Sequence, residues 1–406
     1  MIGAGISGLV AARRLEELGP AVTVFEARDR VGGRVAGTEF AGITLDLGAS
    51  HVWSFYSQVR RWLRRLGLDA QSDPVRSPGP ALAVHWGDAG GVLRAALDVA
   101  RSWPRLDPAR PERAASLDGE SLQAYARRRL GPGFEPLLRD AFEWNAFCDP
   151  ERLSRVLLLQ AGRLYLRARP LRLRGGLQQL PEQLARGLEV RLGRPGTVLE
   201  VTRRSEGVSV VTAEGPPLEF AAAVVATLPG EAAALVPGLD PALSAFLHSV
   251  EHSRVLRGWW RCGSPLPAGG LLRHTLGSPR VVLAGRPGPV PLLAAVAYEV
   301  GVEQVVAAAD PERWFSRQAT ELWPGFAAAR VDEFCSHHWP QAVTIFAPGH
   351  FTSLRRLRER LPQGRLRLAG DYLVSPTIEG AAISGERAAE ALAALPILSS
   401  VRIPGK

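Results

Sequence analysis

A glycine triplet at Gly3, Gly5 and Gly8, spaced GxGxxG and running straight into an amphipathic stretch, constrains this chain more than any other feature. Leu9, Val10, Ala12, Leu15 and Leu18 share one side of a predicted helix, Arg13, Arg14, Glu16 and Glu17 the other, and Gly19 marks its stop. The next run, AVTVFE, is rich in strand-forming residues and ends in Glu26. Glycine, helix and acid-terminated strand in that order predict a dinucleotide-binding βαβ unit. Backbone N–H groups at Gly3, Gly5, Ile6, Ser7 and Gly8 can approach a pyrophosphate at the positive helix end, and an acid about twenty residues on can bond ribose hydroxyls. Glu26 would repel a 2′-phosphate despite Arg28 nearby, which leaves FAD or NAD as the expected ligand.

The strand that should precede the glycines is almost absent, since only Met1 and Ile2 stand before Gly3. A central strand of a parallel sheet usually has about five residues. Several unpaired buried backbone groups, at roughly 1–3 kcal/mol each, would consume much of a typical stability of about 5–15 kcal/mol. The expectation is therefore a natural product that starts upstream with an apolar run.

Composition narrows the class. A chain of 406 residues with 46% hydrophobic content and mean hydropathy close to zero is long enough for two globular domains. The net charge of +9 comes almost wholly from arginine, Lys406 being the only lysine, and is spread along the sequence rather than concentrated in one basic patch. A small-molecule partner is thus expected and nucleic acid is not. No run of about 18 apolar residues occurs. Cys148, Cys262 and Cys335 share no CxxC spacing, which predicts reduced thiols, a cytoplasmic setting and no metal site.

Three further blocks decide between the two cofactors. ARDRVGGRV follows Glu26, TEFAGITLDLGASHVW follows that, and LRLAGDYLVSPTIEGAAISGERAAEAL closes the ordered sequence. Together they resemble the flavin-dependent amine oxidase superfamily, which includes monoamine and polyamine oxidases, protoporphyrinogen oxidases, and carotenoid or squalene desaturases. The resemblance implies non-covalent FAD, since residues 372–378 contain no cysteine for a covalent link. It places Ala27 and Arg28 beside the ribose acid, Gly33 and Arg34 at the phosphates, and Gly48, Ala49, Ser50 and His51 near the isoalloxazine. Gly370 and Asp371 would end a strand at the ribitol, with Gly380 and Ala381 presenting a helix N-terminus to the flavin edge. Glu379 belongs to the same cofactor-binding motif but could pack structurally. The block RLRGGLQQLPEQLARGL, followed by TVLEVTRR, GVSVVTAEG and PLEFAAAVVATLP, fits a helix and a three-stranded meander, with Val198 as the adenine contact.

The expected fold is α/β: a Rossmann-like FAD-binding domain with a parallel sheet and β-meander, plus an α+β substrate domain inserted discontinuously. The flavin part takes residues 1–58, 172–232 and 340–396, the substrate part 59–171 and 233–339, and 397–406 forms a tail. Within the substrate part, QVRRWLRRLGL, SLQAYARRRLG and EPLLRDAFEWNAF have helical spacing, while SRVLRGWWRC, RVVLAG and LLAAVAYEV read as strands. Asp149 and Ser154 in DPERLS are candidate caps. RPGPVP at 286–291 reads as a loop.

Amine-oxidising members usually hold a water against flavin N5 with a lysine, and none is available here. Trp339, Phe346, Gly349 and His350 match the protoporphyrinogen oxidase and desaturase side, whereas the GDYL and EGAA endings match squalene-type desaturases and general amine oxidases. The first expectation is therefore hydride removal from a hydrophobic or polycyclic substrate; amine oxidation with peroxide release and flavin binding without turnover are the alternatives. Cavity candidates are His51, Trp53, Trp339, Phe346 and Tyr372. Arginine-rich helices over 58–68 and 353–361 could touch a membrane surface, although a solvated face explains them better.

Overall fold

A computed structural model describes residues 1–68, 72–74, 89–131, 142, 146–164, 168–264, 266, 271–274, 281–286 and 290–396. The tail 397–406, most of EPLLRDAFEWNAF and part of RPGPVP lie outside the described residues. A parallel sheet runs in the order Glu189–Leu192, Thr23–Glu26, the residue Ile2 bridging to both sides, Ala223–Val225 and Leu366–Leu368.

The short opening strand is fully engaged. Ile2 donates to Val224 O at 2.9 Å, Gly3 donates to Phe25 O at 2.8 Å, and Phe25 and Ala226 donate back to the carbonyls of Met1 and Ile2. The Met1 nitrogen donates to Thr23 O at 2.7 Å.

Two helices clasp that sheet. The first, Ile6–Glu17, buries Leu9, Val10, Ala11, Ala12 and Leu15. The last, Ile378–Ala393, crosses it so closely that a Cβ on Gly385 would stand 2.1 Å from Ser7 O, which explains the small residues in ISGERAA. Arg13 fastens the first helix to Gln179–Ala185 by donating Nε and Nη2 to Leu184 O. The meander forms from Val198–Arg203, Val208–Thr212 and Leu218–Phe220. The expected third run divides, because Ala223–Val225 leaves the meander and rejoins the parallel sheet.

A second, antiparallel sheet orders Leu271–His274, Val281–Arg286, Leu292–Tyr298, Val255–Cys262 and Val331–Trp339. Alternation along Val255–Cys262 sorts its faces. Leu256, Trp260 and Cys262 join a core with Val302, Val305, Trp314 and Phe315 from the helices Val300–Ala307 and Pro311–Leu322. On the opposite face Val255 clusters with Ala36 and Trp339, and Trp259 with Leu45, so this side of the sheet packs on the hairpin Gly37–Phe40 and Ile43–Asp46. The expected helices appear as Ser57–Arg65 and Leu122–Arg129, and Ser121 caps the second through the Ala124 N–H. Asp149 accepts from Glu151 N, and Ser154 accepts from Val156 N while its hydroxyl donates to Asp118 Oδ1 at 2.5 Å.

Candidate functional site

The fingerprint loop is built for an anion. Gly3 has φ +96, in the region that favours glycine, and a Cβ on Gly8 would lie 1.9 Å from Gly3 O, so the turn tolerates no side chain there. Gly5 is different. It precedes the helix with φ −74 and ψ 178, and a Cβ on it would meet nothing within 4 Å. The helix it opens has neither a side-chain cap nor an acid in its first turn, which leaves the positive end uncompensated. Glu26 reaches back to accept the Ala4 N–H at 2.8 Å and the Arg28 N–H at 3.0 Å, fixing its carboxylate beside this opening. The turn before Val198 closes on the same place: a Cβ on Gly196 would stand 2.4 Å from Glu26 O.

Arg34 and Asp371 meet each other. Arg34 Nη2 donates to Asp371 Oδ1 at 2.7 Å, its Nη1 reaches Ala342 O and Thr344 Oγ1, and the Thr344 hydroxyl donates to Asp371 Oδ2 at 2.7 Å. Burial pushes the Asp371 carboxyl up, but the Arg34 charge with the bonds from Arg34 and Thr344 outweighs this and holds it below the usual carboxylate range. Three distant segments are thereby pinned at one point. Thr344 was not among the residues the sequence singled out; it lies in the stretch between Trp339 and Phe346.

The closing motif divides its labour. Thr377 caps the last helix, its hydroxyl accepting the Gly380 N–H at 3.0 Å, and a Cβ on Gly380 would strike Ser375 O at 2.2 Å. Glu379 points elsewhere. It accepts Ser57 Oγ at 3.0 Å, Gln58 N at 2.8 Å and Val59 N at 2.9 Å, so it serves the N-terminus of the helix Ser57–Arg65. Burial raises its pKa against those three bonds.

The flavin-facing segment of the resemblance, Asp46 to His51, is held from both sides. Asp46 Oδ1 accepts Leu177 N at 2.8 Å, Gly48 abuts Arg34 O, and Ala49 donates to Arg34 O. From the antiparallel sheet, Trp339 Nε1 donates to Leu47 O at 2.9 Å and Arg257 Nη1 to Gly48 O at 3.0 Å. His51 lies edge-on to Trp53 at 5.3 Å. Burial, then Arg172, then Arg257 push its imidazole down to about 4, so it is neutral at pH 7. Phe147 and Tyr298 complete an aromatic wall, with the Arg257 guanidinium 5.4 Å from the Phe147 ring. Trp339 and His51 therefore share one site, whereas Phe346 and Tyr372 lie in the core, Phe346 stacked on His350 at 3.8 Å and Tyr372 only 1% exposed. Arg257 escaped sequence reasoning. Its signal was a cation between Val255 and Trp259 on one parity of an apolar strand.

Residues 6–256 match the profile of the family described as flavin containing amine oxidoreductase. The chain belongs to that family. The resemblance read from the motifs is thus borne out at the level of the family. A Mycobacterium tuberculosis protein named as a flavin-containing monoamine oxidase, AofH, is 27% identical over 300 residues, covering 65% of this chain. That match spans 64% of the relative's own length, a little under two thirds. The flavin-dependent L-tryptophan oxidase RebO of Lentzea aerocolonigenes is 26% identical, with 97% of each chain covered. Among solved structures, cyclohexylamine oxidase from Brevibacterium oxydans superposes with a TM-score of 0.72 at 19% identity over 97% of both chains. A protoporphyrinogen oxidase-type protein from Exiguobacterium gives 0.70 at 18%, over 96% of this chain and 97% of the other. At these identities both structures speak for the fold alone. The residues present suit FAD: the open cradle at Gly5 and the uncompensated helix end fit a pyrophosphate, and Glu26 fits a ribose.

Proposed function

We propose that this family member removes a hydride from a carbon of a hydrophobic or polycyclic substrate seated between residues 47–51 and the antiparallel sheet. When bound, FAD supplies the acceptor for that hydride at N5. The chain's own residues exclude water and align. In this reading residues 1–58, 172–232 and 340–396 hold the cofactor, with Gly5, Glu26 and Val198 on its nucleotide half and Gly48–His51 and Ala381 near its ring. Residues 59–171 and 233–339 shape the substrate side.

One observation carries the reading. Phe147, Tyr298 and Trp339 share one apolar cluster on which Leu47 packs, and Trp339 Nε1 donates to Leu47 O, four residues before a histidine that burial keeps neutral at pH 7. Such a dry, apolar site favours transfer that needs alignment rather than an acid or base. Amine oxidation is the second reading, supported by the likeness to AofH. Anaerobic mixing of the yellow holoprotein with polycyclic and amine candidates tests both. Bleaching by a hydrophobic substrate without nitrogen supports the first, and bleaching only by amines, with peroxide released in air, replaces it with the second.

A further inference from the structure

Among the described residues no acid forms a salt bridge with Arg257, which lies deep beside the segment that the resemblance sets against the flavin. Its strand partners are Val296 and His337 on the two neighbouring strands. Nη1 is committed to the carbonyls of Gly48, at 3.0 Å, and Leu47, at 3.5 Å. Nε is buried without a partner, and Nη2 makes no hydrogen bond among the described residues. Those two atoms form the side edge of the guanidinium, the fork that matches the two oxygens of a carboxylate. Among the described residues Asp46 is the acid whose field supports the charge; it accepts the Leu177 N–H. Burial lowers the guanidinium to about 10, which still leaves it charged at pH 7.

A buried charge kept without a counter-ion is costly unless something supplies one. Hydrogen bonds to two carbonyls orient the group without neutralising it. The surroundings carry the same sign: the fields of Arg172 and Arg257 act on His51, and those of Arg30, Arg28 and Arg257 on His337, after burial and, for His337, with a contribution from His338. An alkylammonium entering here meets like charge, whereas an anion meets an oriented donor edge flanked by the Phe147 ring.

We infer that Arg257 is the carboxylate anchor of the substrate cavity, and that the substrate is an acid with an aromatic or apolar body. This rests on the proposed function, because it places the anion beside the site where the carbon would give up its hydride. It deepens that reading by adding a charge requirement which neither a plain hydrocarbon nor a simple amine meets.

The test titrates holoprotein calorimetrically with indole-3-acetate and with tryptamine, two ligands of similar shape and opposite charge, while the flavin spectrum is followed in parallel. The expected result is saturable binding of indole-3-acetate at least tenfold tighter than tryptamine. R257Q should lose at least tenfold in indole-3-acetate affinity and R257K should recover part of it. R261Q, altered on the same strand where Arg261 pairs with exposed Asp332, should bind as the parent does. Tryptamine binding as tightly as the acid, or an R257Q affinity within twofold of the parent, overturns the inference. Should R257Q not fold, the comparison of the two ligands on the parent protein still decides. The heat signal needs no flavin change, so acid binding without any bleaching by hydrophobic substrates would sink the proposed reaction and leave the anchor standing.

Discussion

Replacing Gly5 and Gly8 by alanine, one at a time, separates what the fingerprint needs for folding from what it needs for its ligand. At Gly5 the backbone angles suit any L-residue, and the added methyl enters open space. G5A should therefore leave the flavin-free protein unharmed, or stabilise it by about 0.4–1 kcal/mol through a stiffer unfolded chain. The same methyl occupies the approach to the helix N-terminus, where a diphosphate would have to lie. Losing even one charge-assisted bond there costs about 1.5–3 kcal/mol, an order of magnitude or more in FAD affinity. Gly8 behaves oppositely, because its Cβ would sit 1.9 Å from a backbone oxygen that cannot step aside without moving the whole turn. G8A should lower the stability of the flavin-free protein by several kcal/mol, as expected where backbone must shift. Urea melts of stripped protein, with FAD titrations followed by fluorescence quenching, read the two quantities apart. If G5A keeps FAD affinity within twofold, or if both variants unfold alike, the assignment of the Gly5 cradle to phosphate is wrong.

Glu379→Ala should destabilise by about 1–3 kcal/mol, since the Gln58 and Val59 N–H groups lose their acceptor, while FAD affinity measured on folded protein changes little; urea unfolding with a parallel titration checks the split. Asp371→Ala strands Arg34 and Thr344 and should cost about 3–5 kcal/mol, whereas Thr344→Val removes one bond and should cost about 1 kcal/mol; a Thr344→Val effect as large as that of Asp371→Ala would refute the ranking. His350 is held near 4 by burial, although its bond to the Tyr372 carbonyl and the charge of Asp371 oppose the shift. A base whose folded pKa is depressed keeps its contribution above the unfolded value near 6.5 and loses it as pH falls toward 4, where the unfolded chain takes up a proton that the native state refuses. That window is worth about 3 kcal/mol, and His350→Gln should flatten the pH dependence of urea stability across it.

The opening βαβ unit was legible because local chemistry specifies it. A glycine turn, an amphipathic helix and an acid-ended strand each leave a periodic or positional mark, and their order admits one arrangement. The same holds for Gly380 and Gly385, whose small size records close approach to Ser375 and Ser7. Glu379 shows where motif reasoning stops. It sits inside the closing motif, yet its carboxylate turns to a helix start more than three hundred residues earlier, a partner that no local pattern names. Arg34 and Asp371 each read as cofactor contacts along the chain, and only the three-dimensional meeting with Thr344 shows that they also neutralise one another.

The antiparallel sheet was harder to read for a different reason. Alternation along Val255–Cys262 puts Val255, Arg257 and Trp259 on one face, but the sequence does not say which face meets the helices and which meets the hairpin. Once that is known, the absent lysine takes on another meaning. The site keeps its cation as an arginine, with a pKa near 10 that makes it useless as a proton acceptor at neutral pH, and with Nε and Nη2 making no hydrogen bond among the described residues. A permanent charge there can hold an anion or bias an electron acceptor, but it cannot deprotonate an amine. Whatever nitrogen chemistry this family member performs must therefore take its proton acceptor from elsewhere, and His51, which burial beside Arg172 and Arg257 holds near 4, resists taking up a proton.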